Sequence, residues 1–167
     1  MSVEDVLAEF KKGVEKVVKP EDVETHYDLG VAYKEMGLID DAVGEFSIAR
    51  RGCLGKRKEI DCLSMVGMLQ LSHGQFAAAI DAYQQCLTSE HAKGDVEKAL
   101  RYELGAAFEA NGQAGRALGQ YLKVRTLDPA YRDVSSAVER LSTIAHPEDD
   151  PPSPSGPSAT GRKVGYV

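Results

Sequence analysis

The sequence predicts an all-α fold: a right-handed solenoid of three helix pairs with one further helix at each end. Three observations carry this reading. Four sets of residues recur in lockstep, namely Gly30, Gly67 and Gly105; Gly37, Gly74 and Gly112; Ala42, Ala79 and Ala117; and Phe46, Tyr83 and Tyr121. Every set steps by 37 and then by 38 residues, which marks an internal repeat. Within each unit a glycine separates two stretches long enough for a helix each, and it suits the left-handed conformation that ends the first. A single helix pair cannot bury its own apolar face, so the units must stack.

The elements follow in order. Residues 2–18 read as an amphipathic helix, because Val3, Val6, Leu7, Phe10, Val14, Val17 and Val18 recur at three- and four-residue steps. Ser2 suits its N-cap, with Asp5 in the first turn. Phe10 precedes Phe46 by nearly one repeat step, so this helix takes the place of a second helix from an earlier repeat. The chain then reads as a fragment of a longer array, with a dedicated cap as the alternative. Pro20 breaks the chain before the first pair, which spans 21–36 and 40–52. Cys53-Leu54-Gly55-Lys56-Arg57 links it to the second pair, 58–72 and 75–89. The third pair spans 95–110 and 114–127 and ends in Asp128-Pro129. Residues 131–143 form a last helix whose Val134, Val138 and Leu141 cover the open end of the stack.

A mid-helix glycine costs about 0.5–1 kcal/mol relative to alanine, so Gly30, Gly67 and Gly105 imply a packing gain. Opposed by Ala42, Ala79 and Ala117, they let the paired helices approach closely, and the aromatic of the second helix fills the space between units. From residue 145 the composition changes. Proline, serine and acidic residues dominate and little remains to pack, so 145–167 reads as a disordered tail with a short terminal motif at 162–167.

Composition sets limits on function. The net charge is −6 and no basic run exceeds Arg50-Arg51 or Lys56-Arg57, which argues against nucleic acid as a partner. No apolar stretch approaches the ~20 residues of a membrane span, so membrane insertion is not expected. The start of the chain lacks the basic and apolar regions of a signal peptide. Cys53, Cys62 and Cys86 form no CxxC pair and read as reduced thiols of a cytoplasmic protein. His26, His73, His91 and His146 fall in different elements without metal-ligand spacing. There is no P-loop, GxSxG or GxGxxG, and neither a cofactor nor catalysis is expected.

Leu29-Gly30-x-x-Tyr33, Ala42-x-x-x-Phe46 and Asp128-Pro129 resemble the tetratricopeptide repeat, W-x2-L-G-x2-Y, A-x3-F and P. His26 stands where that family has Trp, and repeat two departs from it at Val66 and Gln70. The resemblance implies non-catalytic protein recognition on a concave groove lined by the first helix of each pair. Counted in the family's register, the groove takes Glu24, Tyr27, Val31 and Lys34 from repeat one. Repeat two supplies Asp61, Ser64, Met68 and Leu71, and repeat three Tyr102, Ala106 and Glu109. An apolar centre with acids around it suits a peptide, an amphipathic helix or a folded partner with apolar anchors. The alternative is that Tyr27, Met68 and Tyr102 are ordinary core. Family members that hold a chaperone's C-terminal carboxylate use Lys, Arg and Asn, which these stations lack.

The run from Glu9 to Glu15, the run from Glu24 to Leu38, and the Lys163-x-x-Tyr166-Val167 tip resemble the last repeats of long tetratricopeptide proteins of delta-proteobacteria. Among these are motility and polarity adaptors of the SgmX type, whose repeats bind the Ras-like small GTPase MglA and help activate type IV pili. That resemblance implies a GTP-state-dependent partner. A structural segment that spaces or self-associates parts of a longer protein is a further expectation.

Overall fold

The computed structural model describes residues 1–19 and 21–150. Pro20, the tail from residue 151 onward and its terminal motif lie outside the described residues. Among the described residues eight α-helices follow one another: α1 (Val3–Val17), α2 (Val23–Glu35), α3 (Ile39–Arg51), α4 (Arg57–Ser72), α5 (Phe76–Leu87), α6 (Asp95–Ala110), α7 (Ala114–Leu127) and α8 (Val134–Ser142). From α2 onward each helix packs on its neighbours in sequence, so the three pairs α2/α3, α4/α5 and α6/α7 stack as an α-solenoid closed by α8.

The turn inside each pair is built identically. Gly37, Gly74 and Gly112 adopt φ of 75–76°, where a side chain would be strained. The next amides, of Leu38, Gln75 and Gln113, then donate to the carbonyls of Tyr33, Gln70 and Phe108, each at 2.9 Å. This bond satisfies a carbonyl at the end of the first helix and aims the chain antiparallel. The second helices need no side-chain cap, because the turn itself fixes their start.

The mid-helix glycines receive the aromatic rings. A Cβ on Gly30, Gly67 or Gly105 would stand 2.8, 3.0 and 2.8 Å from the rings of Phe46, Tyr83 and Tyr121. Each ring therefore lies over the glycine of its own pair, a closer role than filling the space between units. Phe46 also joins Leu69 of α4 in one core cluster, so it ties repeat one to repeat two. A larger cluster runs from Ile60 through Tyr83, Leu104 and Tyr121 to Val134, Val138 and Leu141 of α8.

Both ends differ from the middle. The α1 helix carries a capping box, with Asp5 N donating to Ser2 Oγ and Ser2 N to Asp5 Oδ2, each at 3.1 Å. It buries no residue, and Phe10 is half exposed where Phe46, Tyr83 and Tyr121 are buried. Lys11 ties α1 to Asp41 of α3 at 2.7 Å. At the other end α8 begins at Val134 instead of Tyr131, because Arg132 takes φ 45° and cannot continue a helix. Residues 146–150 fold back on α7: the Glu148 amide donates to the Gly115 carbonyl at 2.9 Å.

Candidate functional site

The predicted stations lie on α2, α4 and α6 and fall into covered and open ones. Tyr27 is half buried. Its ring meets Phe46 edge-on at 5.2 Å, and Lys58 Nζ of α4 sits 3.9 Å above its centroid. Burial raises its phenol pKa, and the Lys58 ammonium opposes the rise. Val31 packs partly buried against the same cluster, and Lys34 pairs with Glu35 at 3.5 Å. In repeat three, Tyr102 is enclosed by material leading into α8. Its ring lies 5.5 Å from Tyr131, the Arg132 guanidinium lies 4.3 Å from its centroid, and its hydroxyl donates to Asp133. Burial, and then the Asp133 carboxylate, push the Tyr102 phenol up to about 12. Glu109 accepts from both Arg140 nitrogens and from the Tyr121 hydroxyl. Tyr27 and Tyr102 thus pack against the following element and offer the groove little free surface.

Repeat two is open. Ser64 stands one repeat step from both Tyr27 and Tyr102, and its hydroxyl donates to the Ile60 carbonyl at 2.6 Å. A side chain this short leaves a cleft of about 220 Å³ between α4 and α6. Ser64, Met65 and Met68 form one wall, Tyr83 the floor, and Ala99, Leu100 and Glu103 the other wall. Met68 is 39% exposed, so part of its thioether stem is accessible while the rest packs into the wall. A second hollow continues along the same helices past Ser64, bounded by Arg57, Asp61, Asp95 and Val96. The structure therefore brings Asp61, Ser64 and Met68 to one furrow. Leu71 instead packs against the large core cluster.

Sequence counting missed the far wall. Met65, Ala99, Leu100 and Glu103 lie three or so positions before the stations counted on α6 or beside those on α4, because each helix shows one flank to its predecessor and another to its successor. Three-residue steps around the repeat glycines were the signal that could have found them. The furrow's rim is charged: Arg57 donates to Asp61 at 2.6 Å, Arg132 to Glu103 at 3.0 Å, and Asp95 projects almost fully exposed toward Lys98. An apolar floor with carboxylates along its edges can seat an apolar side chain and attract cations beside it.

The remaining candidate groups are structural in their surroundings. His26, where the family has Trp, is buried, with Nδ1 2.5 Å from Glu45 Oε2 and Nε2 2.9 Å from the Lys19 carbonyl. The three cysteines are buried free thiols. Burial pushes Cys62 up to about 12 and Cys86 to about 11, which withholds the reactive thiolate. Among the described residues no cluster of His, Cys, Asp and Glu is placed to hold a metal ion, and no helix is long and apolar enough to cross a membrane.

No protein-family model matches the chain, and no curated protein matches it. Solved structures do. A crystal structure of MamA superposes with a TM-score of 0.65 at 21% identity, covering 80% of this chain and 73% of that one. A second structure of MamA protein gives 0.64 at 21%, covering 80% and 68%. The likeness shows the fold: a tetratricopeptide-like α-solenoid.

Proposed function

We propose that the chain is a non-catalytic protein-recognition module that takes an apolar anchor of a partner segment into the Ser64–Met68 furrow. One observation carries this reading. The row of inward stations is plugged by Tyr27 and Tyr102 and left open at Ser64, beside an exposed methionine. A methionine wall adapts to varied apolar shapes. The rim acids Asp61, Asp95 and Glu103 favour Lys or Arg flanking the anchor. A displayed-peptide selection on the wild-type chain, repeated on Ser64→Tyr, tests it. The expected pool carries a Leu, Met or Phe anchor next to basic residues and is lost on Ser64→Tyr with unchanged helicity. A pool that survives Ser64→Tyr would place recognition elsewhere.

The finer reading, a polarity adaptor that recognises a GTP-loaded Ras-like GTPase such as MglA, rests on the sequence resemblance of the runs around Phe10 and Tyr33. It requires retention of the GTPase with GTP and release with GDP. Self-association has an observation of its own: Val3, Val6, Phe10 and Val17 leave an uncovered apolar stripe on α1. Mass that rises with concentration and falls back on Phe10→Glu would support it.

A further inference from the structure

A second furrow runs along α7, and it is occupied. Residues 146–150 leave α8 and run across α7 over Gly115 and Gly119. A Cβ on Gly115 would stand 2.6 Å from the His146 carbonyl oxygen, and one on Gly119 only 2.0 Å from that of Glu148. The two glycines, one helical turn apart, let a strand of backbone lie directly on the helix. Beside them Gln120 is fully buried. Its Oε1 accepts from Arg101 Nη1 at 3.1 Å, and its Nε2 donates to the Asp150 carboxylate. Three cations face three carboxylates: Arg116 to Glu148 at 3.7 Å, Lys123 to Asp149 at 4.0 Å and to Asp150 at 3.9 Å, and Arg101 to Asp150 at 3.7 Å.

This set is not a by-product of the repeat. One step earlier, the places of Arg101, Arg116, Gly119, Gln120 and Lys123 are taken by Leu63, Ala78, Asp81, Ala82 and Gln85. Those five residues line an open hollow of about 190 Å³ and contribute no cation to it; the cation that lines it is Arg50 of α3, which donates to Gln85 at 3.2 Å. Repeat one has His26, Asp41, Gly44, Glu45 and Ile48 there. Only repeat three combines the glycine track, the buried amide and the cations. The holding contacts are also individually weak. The ion pairs are long, the carboxylate side chains of Glu148 and Asp149 are 63% and 98% exposed, and salt screens such pairs.

We infer that the Gly115–Gly119 track with Arg101, Gln120 and Lys123 is a docking site for an extended acidic peptide, filled in cis by residues 146–150 as an exchangeable strap. A partner segment of the same chemistry, small or flat where it crosses the glycines and carboxylate-bearing beside Arg116 and Lys123, would displace the strap. The site stands apart from the Ser64–Met68 furrow and does not rest on its reading.

The test uses the full chain with Asp149→Lys and Asp150→Lys, which reverses the strap's charge, and a labelled synthetic peptide of residues 145–150 as the probe. Removal of a tethered competitor, whose effective concentration is on the order of millimolar, should raise peptide affinity at least about 10-fold over the wild-type chain. The gain should vanish in moderate salt and on adding Gly119→Val, with the circular dichroism unchanged. Protection of the Glu148 amide from hydrogen exchange in the wild-type chain, lost in Gly119→Val, is expected alongside. Equal peptide binding by the wild-type and charge-reversed chains, or an unprotected Glu148 amide in the wild type, would overturn the assignment. So would a dimer that Gly119→Val abolishes, because the strap would then belong to a second copy.

Discussion

Gly67 and Tyr83 form the tightest constraint on a single residue in the middle repeat, since the ring leaves 3.0 Å for any added carbon. Gly67→Val should destabilise the fold by about 1–3 kcal/mol through overpacking, read as a lower midpoint in denaturant. Tyr27 and Met68, counted as equivalent surface residues in the sequence, should separate. Tyr27→Ala removes a ring that meets Phe46 edge-on and lies under Lys58, and should cost about 2 kcal/mol of stability. Met68→Ala should cost less than about 1 kcal/mol and act on binding alone. Equal losses of stability would make Met68 core and remove it from the furrow. The register of these residues was legible, because the repeat fixes which positions share a face. What covers Tyr27 and Tyr102 was not. Lys58, Arg132 and Asp133 reach them from neighbouring elements, and no periodicity within one helix reports that.

Among the helices, the inner turns are rigid and the ends are tunable. The bond from the residue after the turn glycine recurs three times with the same length, so α6 and α7 kept the bounds that their turn signals predict. Where the bounds shifted, a local conformation was responsible, as at Arg132 before α8. The α1 helix depends on its own cap, having no buried residue to hold it. Ser2→Ala should cost that helix about 0.5–2 kcal/mol and fray it, seen as faster amide exchange over residues 3–8 with no change in the global midpoint. A shift of the global midpoint would mean that α1 is coupled to the stack. The backward fold of residues 146–150 was invisible in composition, since an acidic, proline-rich stretch reads as solvated until a glycine track and three cations are placed beneath it.

Over the whole molecule, the buried thiols are the first raised groups met on the alkaline side, ahead of the buried tyrosine phenols. Folded Cys62 and Cys86 keep their protons to about 12 and about 11, while the unfolded thiols release theirs from 9.0. The unfolded state then binds fewer protons, so stability falls as pH rises above that value, by up to about 1.4 kcal/mol per pH unit for each thiol. Below it the contribution is fully present. Denaturant melts at pH 8 and pH 10 should show the drop, and Cys62→Ala with Cys86→Ala should flatten it. Thiol-reactive dye should label the wild-type chain only as fast as it opens. The stack is otherwise a row of near-identical cells, and a perfect row could not tell a partner where to sit. Ser64 interrupts that row as a point defect interrupts a crystal. If recognition lies at Ser64, as proposed, the address is written where the shared grammar of the three cells is broken.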